Sequence, residues 1–343
     1  MSLGNFTSPA FGYAFLQLGV VVLFLVSAWR AWKHSSARLV ELLTAFLFGL
    51  LLEQGDIFLF GTYRYNAHWV LLGDVPIAIA LTWAMIIAGA MNITDALGIG
   101  ATTDDRRQTA KGIKVRRSQS VVLTAPMADA VWAIVLDLAL DAVAIRLGLW
   151  SWTIRADQGW FGVPWGNFFA WLFVAFWFSF FTRRVRAQQN GKRWQWAVPL
   201  LAFGGLIATL VPFVALENVG ALPFVVDDSS RYHNQVWIIF ALTLALFVGV
   251  TWRALLQKRV PRETPDHWLL GVRLVIHLLF LVALIAAGIY LTAPLLLVVA
   301  LAMVAVELVF LWHWRNELRG VLRSLPLVRK KNVLTRNSIR GIE

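Results

Sequence analysis

The chain has 343 residues, 59% of them hydrophobic, with a formal net charge of +12 and a mean hydropathy of +0.67. So apolar a composition excludes a water-soluble domain of this size, and positive charge held in blocks between apolar runs marks membrane topology, not a nucleic-acid-binding face. The absence of cysteine excludes disulfides, thiolate catalysis, cysteine-ligated zinc and iron–sulfur clusters.

Apolar runs long enough to cross the hydrocarbon core, about 20 residues each, recur from end to end. Hydropathy predicts spans near 11–29, 40–60, 69–91, 120–147, 166–182, 195–216, 235–252, 268–290 and 293–312. The first run reads as a membrane helix and makes an unconvincing signal peptide. Its flank MSLGNFTSPA carries no Lys or Arg, and no small-x-small site closes it. Alternate connections are basic: Arg30, Lys33 and Arg38 in the first, then Arg106, Arg107, Lys111, Lys114, Arg116 and Arg117 within 93–118. The segments 183–193 and 253–262 and the tail from Arg315 continue that series. The other connections together hold only Arg64, Arg155 and Arg231. This reads as an all-α, polytopic transmembrane helical bundle of about nine spans, N-terminus outside and C-terminus cytoplasmic. Residues 1–320 form a single membrane domain, followed by a basic cytoplasmic tail, 321–343, in contact with membrane lipids.

Ionisable groups inside spans are costly, so each raises a functional question. The second span ends LLLEQGDIFLFGTYRY, with Glu53 and Asp56 on one helix face. The third begins WVLLGDVPIAIALTW, with Asp74 just before Pro76. The fourth, ADAVWAIVLDLALDAVAIRLGLWSW, sets Asp137 and Asp141 one turn apart, with Asp129 two turns earlier. Asn167 opens the fifth. With spans two and four running outward and span three inward, Glu53, Asp56, Asp74, Asp137, Asp141 and Asn167 all fall at one depth, towards the outer face. The alternative is that the carboxylates pair with Arg146, Arg64 or helix-end N–H groups and only fix packing.

Desolvation gives this cluster its chemistry. A carboxyl in low dielectric resists ionising, and two carboxyls one turn apart resist ionising together, so one can keep a proton at neutral pH. Near an apolar substrate that proton makes a Brønsted acid. Tyr63, Tyr65, Trp69, Trp83, Trp132, Trp150, Trp152, Trp160 and Trp165 surround the acids in sequence. Aromatic faces stabilise a cation without trapping it, although Trp at membrane interfaces is also ordinary belt composition. An Arg273–Glu307 pair, near His277, reads as structural.

Other chemistries lack their motifs. The six histidines form no HxxxH or HxxHH cluster of a di-iron desaturase. GIGAT at 98–102 lacks the third glycine of a dinucleotide fingerprint, and no GxSxG elbow or P-loop appears. Metal-assisted diphosphate chemistry wants Lys or Arg beside the acids, and the outer loops have almost none. Pro76, Pro126, Pro199 and Pro212 could break helices as in transporters, yet the halves share no pattern.

FGTYRY, GDVPIAIALTW, LDLALDAVAIRLGLWSW and WFGVPWGNFFAW together resemble the membrane carotenoid hydratase family, which includes gamma-carotene and bisanhydrobacterioruberin hydratases. The resemblance covers roughly 40–182 and rests on D-x-x-x-D, G-x-W-x-W and G-[IV]-P-x-x-N in order. Asp137 and Asp141 match the paired acids. Trp150 and Trp152 match the aromatic pair, and Gly162, Pro164 and Asn167 the following loop and helix start. Phe60, Gly61, Tyr63 and Tyr65 match the first block. Ala142 stands where proline is expected and Ala170 where glycine is. The resemblance implies addition of water to the terminal alkene of a carotenoid or other linear isoprenoid, without a cofactor, in a bacterial or archaeal cytoplasmic membrane. Asp137 or Asp141 would protonate the alkene, and Asn167 or Asp74 would position water. Tyr63, Tyr65, Trp83, Trp132, Trp150, Trp152, Asp56 and Glu53 would hold the substrate and its cation. The alternatives are a terpene cyclase using the same acids, and a lipid transporter or binding protein.

Overall fold

The computed structural model describes residues 9–59, 61, 63–66, 69–99, 123–152, 159–188, 190–218, 233–257 and 265–324. Among these, each expected span carries one long helix: α1 (Pro9–His34), α2 (Ser36–Leu59), α3 (Ile77–Ala96), α4 (Thr124–Arg146), α5 (Trp165–Arg186), α6 (Val198–Asn218), α7 (His233–Leu256), α8 (His267–Ala286) and α9 (Pro294–Ser324). Eight described helices are long and apolar enough to cross a membrane. The chain is a polytopic helical membrane protein. The remaining long helix, α4, bears Asp129, Asp137, Asp141 and Arg146 and is buried along most of its length. It packs against α3, α5, α7, α8 and α9, while α3 also meets α1 and α2. Ala128, Ala130, Ala133, Ala139, Ala142 and Ala144 of α4 are all buried, and such small side chains let neighbouring helices approach closely. The peripheral helices turn their large apolar residues outward instead: Leu18 and Leu25 of α1, Leu242 and Leu246 of α7, Leu295 and Val309 of α9 are exposed, as suits a lipid-facing surface.

Polar bonds show which helix ends lie together. Arg186, closing α5, bonds Glu41 near the start of α2 and Asp95 near the end of α3. Arg30, closing α1, reaches Asp266, the N-cap of α8, at 3.0 Å. This is the basic end of the bundle. There, buried Arg183 spans Asp95 and Asp129, and Asp129 also accepts the Ser179 hydroxyl. Arg38, Arg183 and Arg186 therefore face Glu41, Asp95 and Asp129, a charge-balanced cluster stapling α2, α3, α4 and α5 together. Asp129 belongs to this staple and not with Asp137 and Asp141. Farther along the bundle, Arg273 pairs with Glu307 as expected, and it also donates to the Trp132 carbonyl at 2.8 Å, joining α8, α9 and α4. His277 Nε2 stands 3.4 Å from the same Glu307 carboxylate.

Two boundaries differ from expectation. Residues 69–76 do not begin a helix. Leu71–Leu72 (β1) pairs antiparallel with Val75–Pro76 (β2), and the chain reverses at Gly73, whose φ of +67° suits glycine. The apolar letters WVLL belong to this turn, so the third span starts at Ile77. α9 runs on to Ser324, past the expected edge of the domain at 320, and 325–343 lie outside the described residues. So do 100–122, most of the expected basic loop 93–118. The prolines do not interrupt the bundle. Pro76 caps α3, Pro126 and Pro199 sit in first turns where no amide donor is required, and Pro212 alone lies inside a helix.

Candidate active site

The opposite end holds the acids. α4 stops because Gly148 adopts φ +72°. Its amide bonds the Ile145 carbonyl at 3.1 Å, and the Leu149 amide bonds that of Ala144 at 3.0 Å, a Schellman stop that redirects the chain. The next residues, Trp150–Trp152, pair antiparallel with Tyr63–Tyr65, in the register Tyr63↔Trp152, Arg64↔Ser151, Tyr65↔Trp150. Alternation along strands puts all four rings on one face and turns Arg64 and Ser151 out to solvent. Tyr63 and Trp152 meet edge to face at 4.8 Å, Tyr65 and Trp150 at 6.1 Å. This ribbon roofs a cavity of roughly 1100 Å³, open mouth included, walled by α2, α3, α4, α5 and α6.

Glu53 is the hub of that cavity. One carboxylate oxygen accepts both the Tyr63 and Tyr65 hydroxyls, and the other accepts the Trp83 indole N–H at 2.6 Å. Burial, and then the charge of Glu53, pushes both phenols well above the ordinary tyrosine range, so they stay O–H donors. Asp141 forms a second anchor, accepting the Trp150 indole at 2.8 Å and the side-chain amide of Asn167 from the first turn of α5. Asp137, one turn deeper on α4, is fully buried, and neither of its oxygens has a hydrogen-bond partner among the described residues. The indole N–H of Trp152 is likewise buried and unpartnered, in the cavity roof. No Lys, Arg or His stands among the described lining residues.

Of the residues singled out in the sequence, Glu53, Asp56, Tyr63, Tyr65, Trp83, Asp141, Trp150, Trp152 and Asn167 line this one cavity. Asp137 lies behind its wall. Asp74 does not join it: the hairpin carries Asp74 to the surface, where it accepts the Gln54 amide at 2.9 Å. Trp132 does not join it either. It packs 4.6 Å from Phe310, because five positions before Asp137 and nine before Asp141 put it on the far side of α4. Trp69 and Trp160 donate to the carbonyls of Leu149 and Leu138 and act as braces. Trp165 packs on Phe168 and Phe240. Arg146 pairs with no acid among the described residues; it bonds the carbonyls of Ala142 and Phe161 and props the tight turn 160–163, where Phe161 and Gly162 both have positive φ. Trp171, absent from the expected set, lines the cavity with its ring 4.1 Å from that of Trp83. Its spacing of four from Asn167 puts it on the same helix face, a signal the sequence carried.

A family model described as "Carotenoid biosynthesis protein" matches residues 11–225. The chain belongs to that family. Every described residue lining the cavity falls within the matched stretch, which ends before α7. No curated protein and no solved structure matched the chain. Family membership gives the protein a role in carotenoid metabolism.

Proposed function

We propose that the chain is a cofactor-independent hydratase acting on the terminal alkene of a carotenoid or similar linear isoprenoid. The observation that carries this reading is an aromatic-walled cavity lined by three carboxyl groups, Glu53, Asp56 and Asp141, with indole N–H groups bonding Glu53 and Asp141 and no cation among the described lining residues. A hydrocarbon end group fits such walls, and a diphosphate does not.

In the reading, Asp141 gives its proton to the CH carbon of the terminal double bond, and the alkene's electron pair forms the new C–H bond. Positive charge then rests on the tertiary carbon. The faces of Trp83, Trp171 and the ribbon rings, together with the carboxylate of Glu53, stabilise it. Water adds to the cation, and the proton it releases returns to Asp141. The product is a tertiary alcohol and the acid is restored. Asn167 and Trp150 orient Asp141, and Asp137, one turn away with no donor to solvate a charge, holds a reserve proton for it. The solvent-facing side of the ribbon is the route for water, and on the positive-inside pattern this end faces outward, with the N-terminus outside.

The test is expression in a bacterial host that accumulates an acyclic polyene, followed by mass analysis of the extracted lipids. A product heavier by one water supports hydration. A product of unchanged mass but altered retention would mean that an internal alkene captures the cation, making the protein a cyclase. An unaltered polyene pool, with the protein correctly inserted, counts against both.

A further inference from the structure

A second cavity, roughly 1470 Å³ with its mouth, opens at the basic end between α1, α2, α3 and the start of α8. Its character changes with depth. Leu42, Ala45, Ile87, Met91 and Phe178 form a buried apolar floor, and Arg30, Lys33 and His34 form an exposed rim. The acids at this end already have partners. Glu41 and Asp95 are neutralised by Arg38, Arg183 and Arg186, and Asp266 is matched by Arg30. Lys33 is left over: its ammonium lies 5.3 Å over the Trp32 ring and makes no ion pair among the described residues. The Arg30–Asp266 pair is about 40% exposed on the arginine side, so it holds Arg30 only weakly.

We infer that this cavity is a binding site for an anionic phospholipid, with the headgroup phosphate on Lys33 and Arg30 and an acyl chain on the apolar floor. Neither half of the cavity would suffice alone. Among the described residues the rim carries Lys33 without an ion pair and Arg30 in a weak, exposed one, and the floor beneath them offers an apolar slot that suits an aliphatic chain. A zwitterionic headgroup brings its own ammonium to a rim that is already positive, and it gains less there. Basic pockets between transmembrane helices are a recurrent way of holding anionic lipid.

The test is native mass spectrometry of the full chain in detergent, titrated with phosphatidylglycerol or with phosphatidylcholine of the same acyl composition. Tight, saturable phosphatidylglycerol adducts are expected, with phosphatidylcholine binding weaker. In the surface variant Arg30→Gln/Lys33→Gln, phosphatidylglycerol affinity is expected to fall about thirty-fold, from two headgroup cations. In Ala45→Phe, which fills the floor, lipid adducts should be lost while the rim charge stays. Equal binding of the two lipids, or a charge variant that binds phosphatidylglycerol like the parent, would overturn the inference. So would displacement of the lipid by glycerol phosphate at similar concentration, because a free phosphate ester would then be the ligand.

Discussion

Tyr63→Phe is the sharpest probe of how Glu53 is held. The substitution keeps the ring and its 4.8 Å contact with Trp152, deleting only the hydroxyl that bonds Glu53. Hydrogen bonds to charged acceptors contribute about 1.5–3 kcal/mol each. Tyr63 is only 8% exposed, which leaves little access for a replacing water, but Tyr65 and Trp83 still bond the carboxylate. The lower part of that range, about 1.5–2 kcal/mol of destabilisation, is therefore expected for Tyr63→Phe and for Tyr65→Phe separately. Both hydroxyls meet the same oxygen, so the double variant strips it of its described donors. Its loss should exceed the sum of the single losses by about 1 kcal/mol. Unfolding in mixed micelles, driven by added dodecyl sulfate and followed by tryptophan fluorescence, supplies the four free energies of the cycle. Single variants within about 0.3 kcal/mol of the parent, with a strictly additive pair, would refute the idea that the phenols organise Glu53.

Asp141→Asn keeps an oxygen to accept the Trp150 indole but has no proton to give; water-adduct formation in polyene-making cells should drop by about 10²–10⁴ with insertion unchanged. Undiminished product would exclude Asp141 as the acid. Asp137→Leu should cost no stability and could gain about 1 kcal/mol, since the carboxyl it replaces makes no hydrogen bond among the described residues, yet it should slow product formation. A loss above about 2 kcal/mol in the same unfolding assay would mean that Asp137 is held by groups outside the described residues. Asp129→Ala leaves buried Arg183 with Asp95 as its one carboxylate partner among the described residues and the cluster one positive charge in excess, so it should destabilise by about 3 kcal/mol, the lower end of the cost of breaking a buried pair. A change under about 1 kcal/mol in midpoint-derived free energy would show that the staple can be relieved by water.

The helices were legible because a membrane span has to be long and apolar, and that constraint is written in the letters of each run. The start of the third span was misread for the same reason: Trp69, Val70, Leu71 and Leu72 are apolar enough to extend a helix, and only Gly73 beside Asp74 hints at the reversal. That error carried Asp74 into the expected site. Trp132 entered it through proximity in sequence, though helix geometry alone sets it on the far side of α4 from Asp141. The pairing of Asp137 with Asp141, and the order of the aromatic residues after them, could be read directly because one turn of helix fixes them. The central position of Glu53 could not. Its three donors come from a ribbon strand and from the next helix, and their meeting depends on a chain reversal that no local pattern encodes. The partner of Asp129, two turns before Asp137 on the same helix, is Arg183, 54 positions away in sequence, and no local pattern announces it.

The cross-strand ribbon over the cavity joins segments far apart in the chain by three residue pairs among the described residues. Its two faces are chemically opposite, so sliding one strand by a single position would aim Arg64 or Ser151 inward and swing a row of rings out into water. A guanidinium brought to that spot would stand against any carbocation. The number of residues between Glu53 and Tyr63 is therefore under the same constraint as their identities, and an inserted residue there should disable the protein even with every side chain of the site intact.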